Sequence, residues 1–176
     1  MCLHGGYEKS MIFRNYEATM EEDDENVSVR FSLLSPDGDC GFPGNLKVNV
    51  TYSLNKDLNI LAIRYDAISD KDTLISLSNH MYWNLSGRDS VDDSMLLVKA
   101  GRYGTFRPGS KLISDVSDVP DYLDFTKPSL LKDKLDAIEK ALPDIQTLDH
   151  SYLFDMVQIQ EPQVVLSNDR CSVECF

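Results

Sequence analysis

No run of apolar residues in this 176-residue chain comes near the roughly 18–20 that a membrane-spanning helix requires. Positive charge is also scarce. Lys and Arg number 17 against 29 Asp and Glu, a formal net charge of −12. Nucleic acid and anionic membrane surfaces would both be repelled by that balance, so neither is expected as a partner. A neutral ligand is indifferent to it. The first residues show no charged segment leading into an apolar one, so no signal peptide is expected and the expected compartment is the cytoplasm. The four cysteines, Cys2, Cys40, Cys171 and Cys175, include no C-x-x-C pair, and no histidine lies near the last two. Free thiols are expected, and no metal site or cofactor is. Neither a Gly-x-Ser-x-Gly elbow nor a plausible Cys–His pairing is present, which argues against a serine or cysteine hydrolase.

What is present is ordinary for a soluble globular protein, with 42% hydrophobic and 26% charged residues, and one domain over 1–176 is expected. Val27 to Leu33, Leu46 to Tyr52, Leu58 to Ala67 and Met95 to Val98 read as strands, the first two in clean period-two alternation. Between them lie short turn signals. The five acids Glu21 to Glu25 suit a solvated hairpin loop, because like charges repel. Pro36-Asp37-Gly38-Asp39 and Phe42-Pro43-Gly44 are turns in which Pro presets φ and Gly accepts the left-handed region. Strands at such spacing predict an antiparallel sheet, hence a sandwich or barrel. Gly101 to Pro128 reads as a long ordered loop. Ser129 to Leu142 is the one helix expected, with Leu130, Leu131, Leu135, Ile138 and Leu142 on one face and Pro143 as its stop. In the tail, Met156-Val157 and Val164-Val165-Leu166 are strand-like, and Cys171 to Phe176 has no assigned place.

The chemistry gathers in two places. Leu74 to Ser78 reads as a strand, and it delivers Asn79, His80, Tyr82, Trp83 and Asn84 within six positions. Histidine transfers protons near neutral pH, and a sugar needs polar groups for its hydroxyls and an aromatic face for its C–H surface. A strand end with a satisfied core histidine and packed aromatics explains the same residues. Local sequence leaves both readings open. The second place is Asp149-His150-Ser151-Tyr152, where the Asp–His pair is again either catalytic or a structural brace.

Asn79-His80-x-Tyr82-x-Asn84-Leu85 resembles the Asn-His-x-Tyr-Phe-Asn-Leu signature of the aldose 1-epimerases, the galactose mutarotases. Leu3-His4-Gly5-Gly6, the Ser35 to Gly44 stretch and Asp149-His150-Ser151-Tyr152 match the same family in the right order. The resemblance covers the middle of the family and lacks its N- and C-terminal parts. It implies an all-β, mainly antiparallel, galactose mutarotase-like β-sandwich, truncated, with one surface helix. It also implies interconversion of the α and β anomers of a free hexose by general acid–base ring opening, with no cofactor. Carried over residue by residue, His150 is the general acid at the ring oxygen and His80 holds and polarises the substrate. Asn79, Tyr82, His4 and Asp149 then line the sugar site. The family's base is a glutamate towards its C-terminus, and Glu161 and Glu174 sit in no such motif. Two other outcomes follow from that gap: a catalytically inactive sugar-binding or regulatory relative, or a structural module that self-associates through exposed sheet edges.

Overall fold

The computed structural model describes residues 10–106, 113–143, 148–155 and 160–176. Their contacts cluster into two compact units, one ending at His80 and one starting at Met81.

The first unit is built on four antiparallel strands in sequential order: β1 (Glu17–Glu22), β2 (Asn26–Ser35), β3 (Leu46–Asn55) and β4 (Leu61–Ser69). Alternation decides its two faces. Register places Phe31 beside Val50 and Tyr65, and Val29 beside Tyr52 and Ile63, so one face is apolar. On the other face Arg30, Thr51 and Arg64 form a row next to Ser28 and Ser53, whose hydroxyls hydrogen-bond at 2.8 Å. Residues two apart on a strand share a face, so a one-residue slip would invert both surfaces. The acidic run makes the β1–β2 turn as expected. The Asp23 carboxylate accepts the N–H groups of Glu25 and Asn26 at 2.9 and 2.7 Å, and Lys56 pairs with Glu22.

The loop between β2 and β3 is braced by charge and by glycine. Arg14 donates to both carboxylate oxygens of Asp39, at 2.8 and 2.9 Å, and Ser35 donates to the same carboxylate. A bidentate guanidinium–carboxylate pair of this kind fixes orientation as well as distance. Gly44 is buried at φ +86°, and its N–H donates to the Asp37 carboxylate at 2.6 Å. A Cβ there would stand 2.5 Å from the Ser69 hydroxyl and 3.1 Å from the Lys71 Cβ. Lys71 in turn hydrogen-bonds Asp37 and, with Gly44, holds that carboxyl below the usual carboxylate range.

The second unit carries two small sheets and the helix. One sheet runs β11 (Ser172–Cys175), β10 (Val164–Ser167), β5 (Met95–Val98) and β8 (Ser129–Leu130). The other runs β7 (Ile113–Asp118), β6 (Arg102–Phe106) and β9 (Tyr152–Leu153). Val98, Ala100, Phe125 and Leu131 form the buried centre, with Leu96, Leu148, Tyr152, Phe154, Val164 and Leu166 packed around them. The Tyr152 hydroxyl donates to the Leu123 carbonyl at 2.7 Å, which ties β9 to the 3-10 turn Asp121–Leu123.

The mainly antiparallel all-β class and the single helix among the described residues agree with expectation, and four of the expected strands appear as β2 to β5. Three local readings need correction. The helix α1 spans Leu131–Ala141 and not 129–142, because Ser129 and Leu130 pair with β5 and the Leu131 N–H donates to the Ser94 carbonyl at 2.8 Å. The stretch read as a loop over 101–128 holds β6, β7 and the Asp121–Leu123 turn. It escaped notice because β7 is exposed along its whole length and so lacks an apolar alternation. Leu74 to Ser78 makes no strand: among the described residues no neighbour pairs with it. The unplaced tail folds as β11 on β10, and Met156-Val157 lies outside the described residues. Cys171 and Cys175 are free thiols.

Two substitutions test this framework. Gly44→Ala strains a left-handed backbone position and drives a methyl into Ser69, so a loss of about 1–3 kcal/mol is expected in thermal or denaturant unfolding. Tyr152→Phe leaves the Leu123 carbonyl without its donor, and the same measurement should register a loss of about 1 kcal/mol.

Candidate functional site

The first group of site residues belongs to the first unit. Asn79 and His80 lie at the end of a cavity of about 950 Å³ over the apolar face of the β1–β4 sheet. Phe31, Tyr52, Tyr65 and Phe42 supply its aromatic wall, and the Arg14–Asp39 pair its charged corner. Among the described residues the buried hydroxyls of Tyr65 and Thr73 have no hydrogen-bond partner, and both residues line this cavity. Buried polar atoms are nearly always satisfied, so each of these two has hydrogen-bonding capacity left over.

Beyond His80 the motif belongs to the second unit and divides by role. Asn84 builds a turn: its carbonyl oxygen accepts from the Gly87 N–H at 3.0 Å and the Ser86 hydroxyl at 3.1 Å, and its amide donates to the Arg88 carbonyl at 2.7 Å. Gly87 sits at φ +66°, which that turn requires. Tyr82 is 86% exposed and Trp83 44%, so neither ring is packed as a core residue.

His150 lies at the entry to β9. The Gly104 N–H donates to the Ser151 carbonyl at 2.8 Å, and the register sets Tyr103 opposite Tyr152, so β6 fixes the backbone on which His150 stands. The rings of Tyr103 and Phe106 lie 6.1 and 6.4 Å from the imidazole, centroid to centroid. Burial pushes the His150 pKa below the ordinary histidine value, with the neighbouring Asp149 carboxylate acting in the opposite direction. Among the described residues its buried Nδ1 has no hydrogen-bond partner. Desolvation penalises the charged form.

The sequence-predicted residues thus fall into separate places. Asn79 and His80 border the first unit's cavity; Tyr82, Asp149 and His150 belong to the second unit; His4 lies outside the described residues. Tyr103 and Phe106 were missed because they lie in the stretch read as loop, and nothing local marks them as neighbours of a histidine 44 positions away or more. Among the described residues no three His, Cys, Asp or Glu side chains converge as metal ligands, and no helix is long and apolar enough to cross a membrane.

Known proteins share this sequence and architecture. A Haemophilus influenzae aldose 1-epimerase is 45% identical over 91 residues, 52% of this chain and 25% of that protein. A rat galactose mutarotase is 38% identical over 104 residues, 57% of this chain and 28% of its own length. The crystal structure of a galactose 1-epimerase from Lactobacillus acidophilus superposes with a TM-score of 0.75 at 28% identity, covering 89% of this chain and 46% of that one. An aldose epimerase homologue from C. elegans gives 0.74 at 28% identity, covering 90% and 46%. The chain therefore spans about half the length of these solved relatives, and its fold is galactose mutarotase-like. Residues 1–174 match the profile of the aldose 1-epimerase family, and the chain belongs to that family.

Proposed function

We propose that this chain provides the acid side and part of the sugar-binding wall of a mutarotase site for free hexoses. The observation that carries the reading is His150 itself: a half-buried imidazole at the family's Asp–His motif, aligned by β6 and set near two aromatic rings. In the reaction a base removes the proton of the C1 hydroxyl while His150 donates a proton to the ring oxygen, so that the C1–O5 bond breaks to a C1 aldehyde and a C5 hydroxyl. The C1–C2 bond rotates, the C5 hydroxyl adds to the other face, its proton returns to His150 and the base returns its own to the C1 oxygen. Groups whose pKa values lie near the working pH suffice for such an exchange. His80 and Asn79 would receive hydroxyls, Tyr82 would offer its exposed face to the sugar's C–H surface, and Asp149 would help align the imidazole.

A second reading is sugar binding without turnover, and one observation favours it. The Glu161 carboxylate is bound to Lys99 at 3.0 Å, Glu174 stands exposed on β11, and neither sits in the family's glutamate motif. Self-association through sheet edges belongs to the same reading.

Polarimetry separates the two. With pure α-D-galactose or α-D-glucose, the first reading expects the approach to anomeric equilibrium to speed up in proportion to protein concentration. His150→Asn should then lower the catalysed rate by about 10²–10⁴-fold with the fold intact. A wild-type rate equal to buffer, for a folded chain, would leave the binding reading. In that case His80→Ala should weaken galactose affinity in a direct titration, and an unchanged affinity removes His80 from the site.

A further inference from the structure

His150 stands between side chains that a regular strand would not bring together. Tyr103 and Phe106 are three positions apart on β6, and in an unbroken strand such residues point to opposite faces. The register of β6 against β7 shifts between Thr105 and Phe106, where Phe106 pairs with Ile113 instead of the next residue in step. The extra residue is Ser114 of β7, so the two strands fall out of step where Phe106 ends β6. There the Phe106 ring lies near the same imidazole as the Tyr103 ring. Gly104 lies between them, and a Cβ there would stand 2.9 Å from the Ile113 side chain, so β6 and β7 approach closely at this point.

We infer that Tyr103 and Phe106 are positioning residues that hold His150 in a single tautomer, with its proton on Nε2 and its Nδ1 sealed in the protein. The inference rests on the reading of His150 as the group at the ring oxygen. Its physical basis is the buried, unpartnered Nδ1. Which imidazole nitrogen carries the proton is set by the partner available to the other, and among the described residues no acceptor stands at Nδ1. A proton there would be a buried, unsatisfied N–H, which costs more than a proton on the more accessible nitrogen. Imidazolium needs both N–H groups and is disfavoured for the same reason. Nε2–H is then the hydrogen that the side chain presents to a sugar ring oxygen.

The charged and titratable neighbours agree with this. From its own segment Asp149 favours the cation, yet burial prevails. From β6 comes Tyr103, whose own hydroxyl is held protonated by burial and by Tyr122. Arg102, the adjacent residue on β6, is committed to Asp155. Because folding keeps the imidazole neutral, the folded chain binds fewer protons than the unfolded one around and below the ordinary histidine range. Stability should accordingly fall as pH drops through that range.

Heteronuclear NMR of the isotope-labelled full chain tests the inference without requiring turnover. The His150 ring signals, assigned by their loss in His150→Asn, should show the neutral Nε2–H form at pH 7, with a titration midpoint below about 6.5. Phe106→Ala opens the Nδ1 side to water, and the midpoint should rise by about half a unit or more while both tautomers become populated. Phe106→Leu, which keeps an apolar cover, should stay near the wild type. Tyr103→Ala serves in place of Phe106→Ala if that variant unfolds. An Nδ1–H form or an imidazolium at pH 7 in the wild type would overturn the inference, as would a midpoint unmoved in the opened variant. Failure of the mutarotase reading shows elsewhere, as a polarimetric rate that His150→Asn leaves unchanged.

Discussion

A strand persists only where a neighbour completes its backbone hydrogen bonds, and that requirement shapes both units of this chain. In the first unit it is met locally. β1 to β4 follow one another in sequence, each paired with the last through a short turn, so the ladder closes without long connections. The apolar face and the polar face then follow from alternation alone. In the second unit it is met at long range: β10 lies between β5 and β11, and β6 lies between β7 and β9. Two-residue elements such as β8 and β9 exist because a longer strand beside them supplies the bonds.

The candidate site depends on that long-range pairing. His150 lies two residues before β9, and β6 holds that segment through the Gly104–Ser151 hydrogen bond and the Tyr103–Tyr152 register. β6 also carries Tyr103 and Phe106, whose rings lie near the imidazole. Burial desolvates the imidazole, and desolvation opposes the charge that Asp149 would stabilise. One geometrical device thereby governs orientation and protonation together. The Asn84 turn shows the contrasting case, in which a residue inside a chemical-looking motif does structural work through its own side-chain amide.

The membership of the aldose 1-epimerase family was visible in four short motifs, and the profile match over 1–174 agrees with them. The turns were visible as well. The acidic run, the Gly38 and Gly44 positions and the stop at Pro143 each act through local chemistry that a single sequence carries. The Leu74 to Ser78 stretch shows the limit of that approach. Its alternation is genuine, and it lines the cavity with Leu74, Ile75 and Leu77, but alternation without a pairing neighbour makes no strand. The opposite error occurred in β7, which is a strand without any alternation because no core lies against it.

By itself, then, the sequence determined the class of fold, the alternation of β2 and β3 and the turns, because each rests on the properties of residues close together in the chain. The tertiary structure alone decided which strands pair in the second unit, where the helix begins, and which side chains surround His150. Those outcomes depend on hydrogen bonds and ring contacts between residues tens of positions apart, such as Gly104 with Ser151 and Phe106 with His150. No local pattern records them.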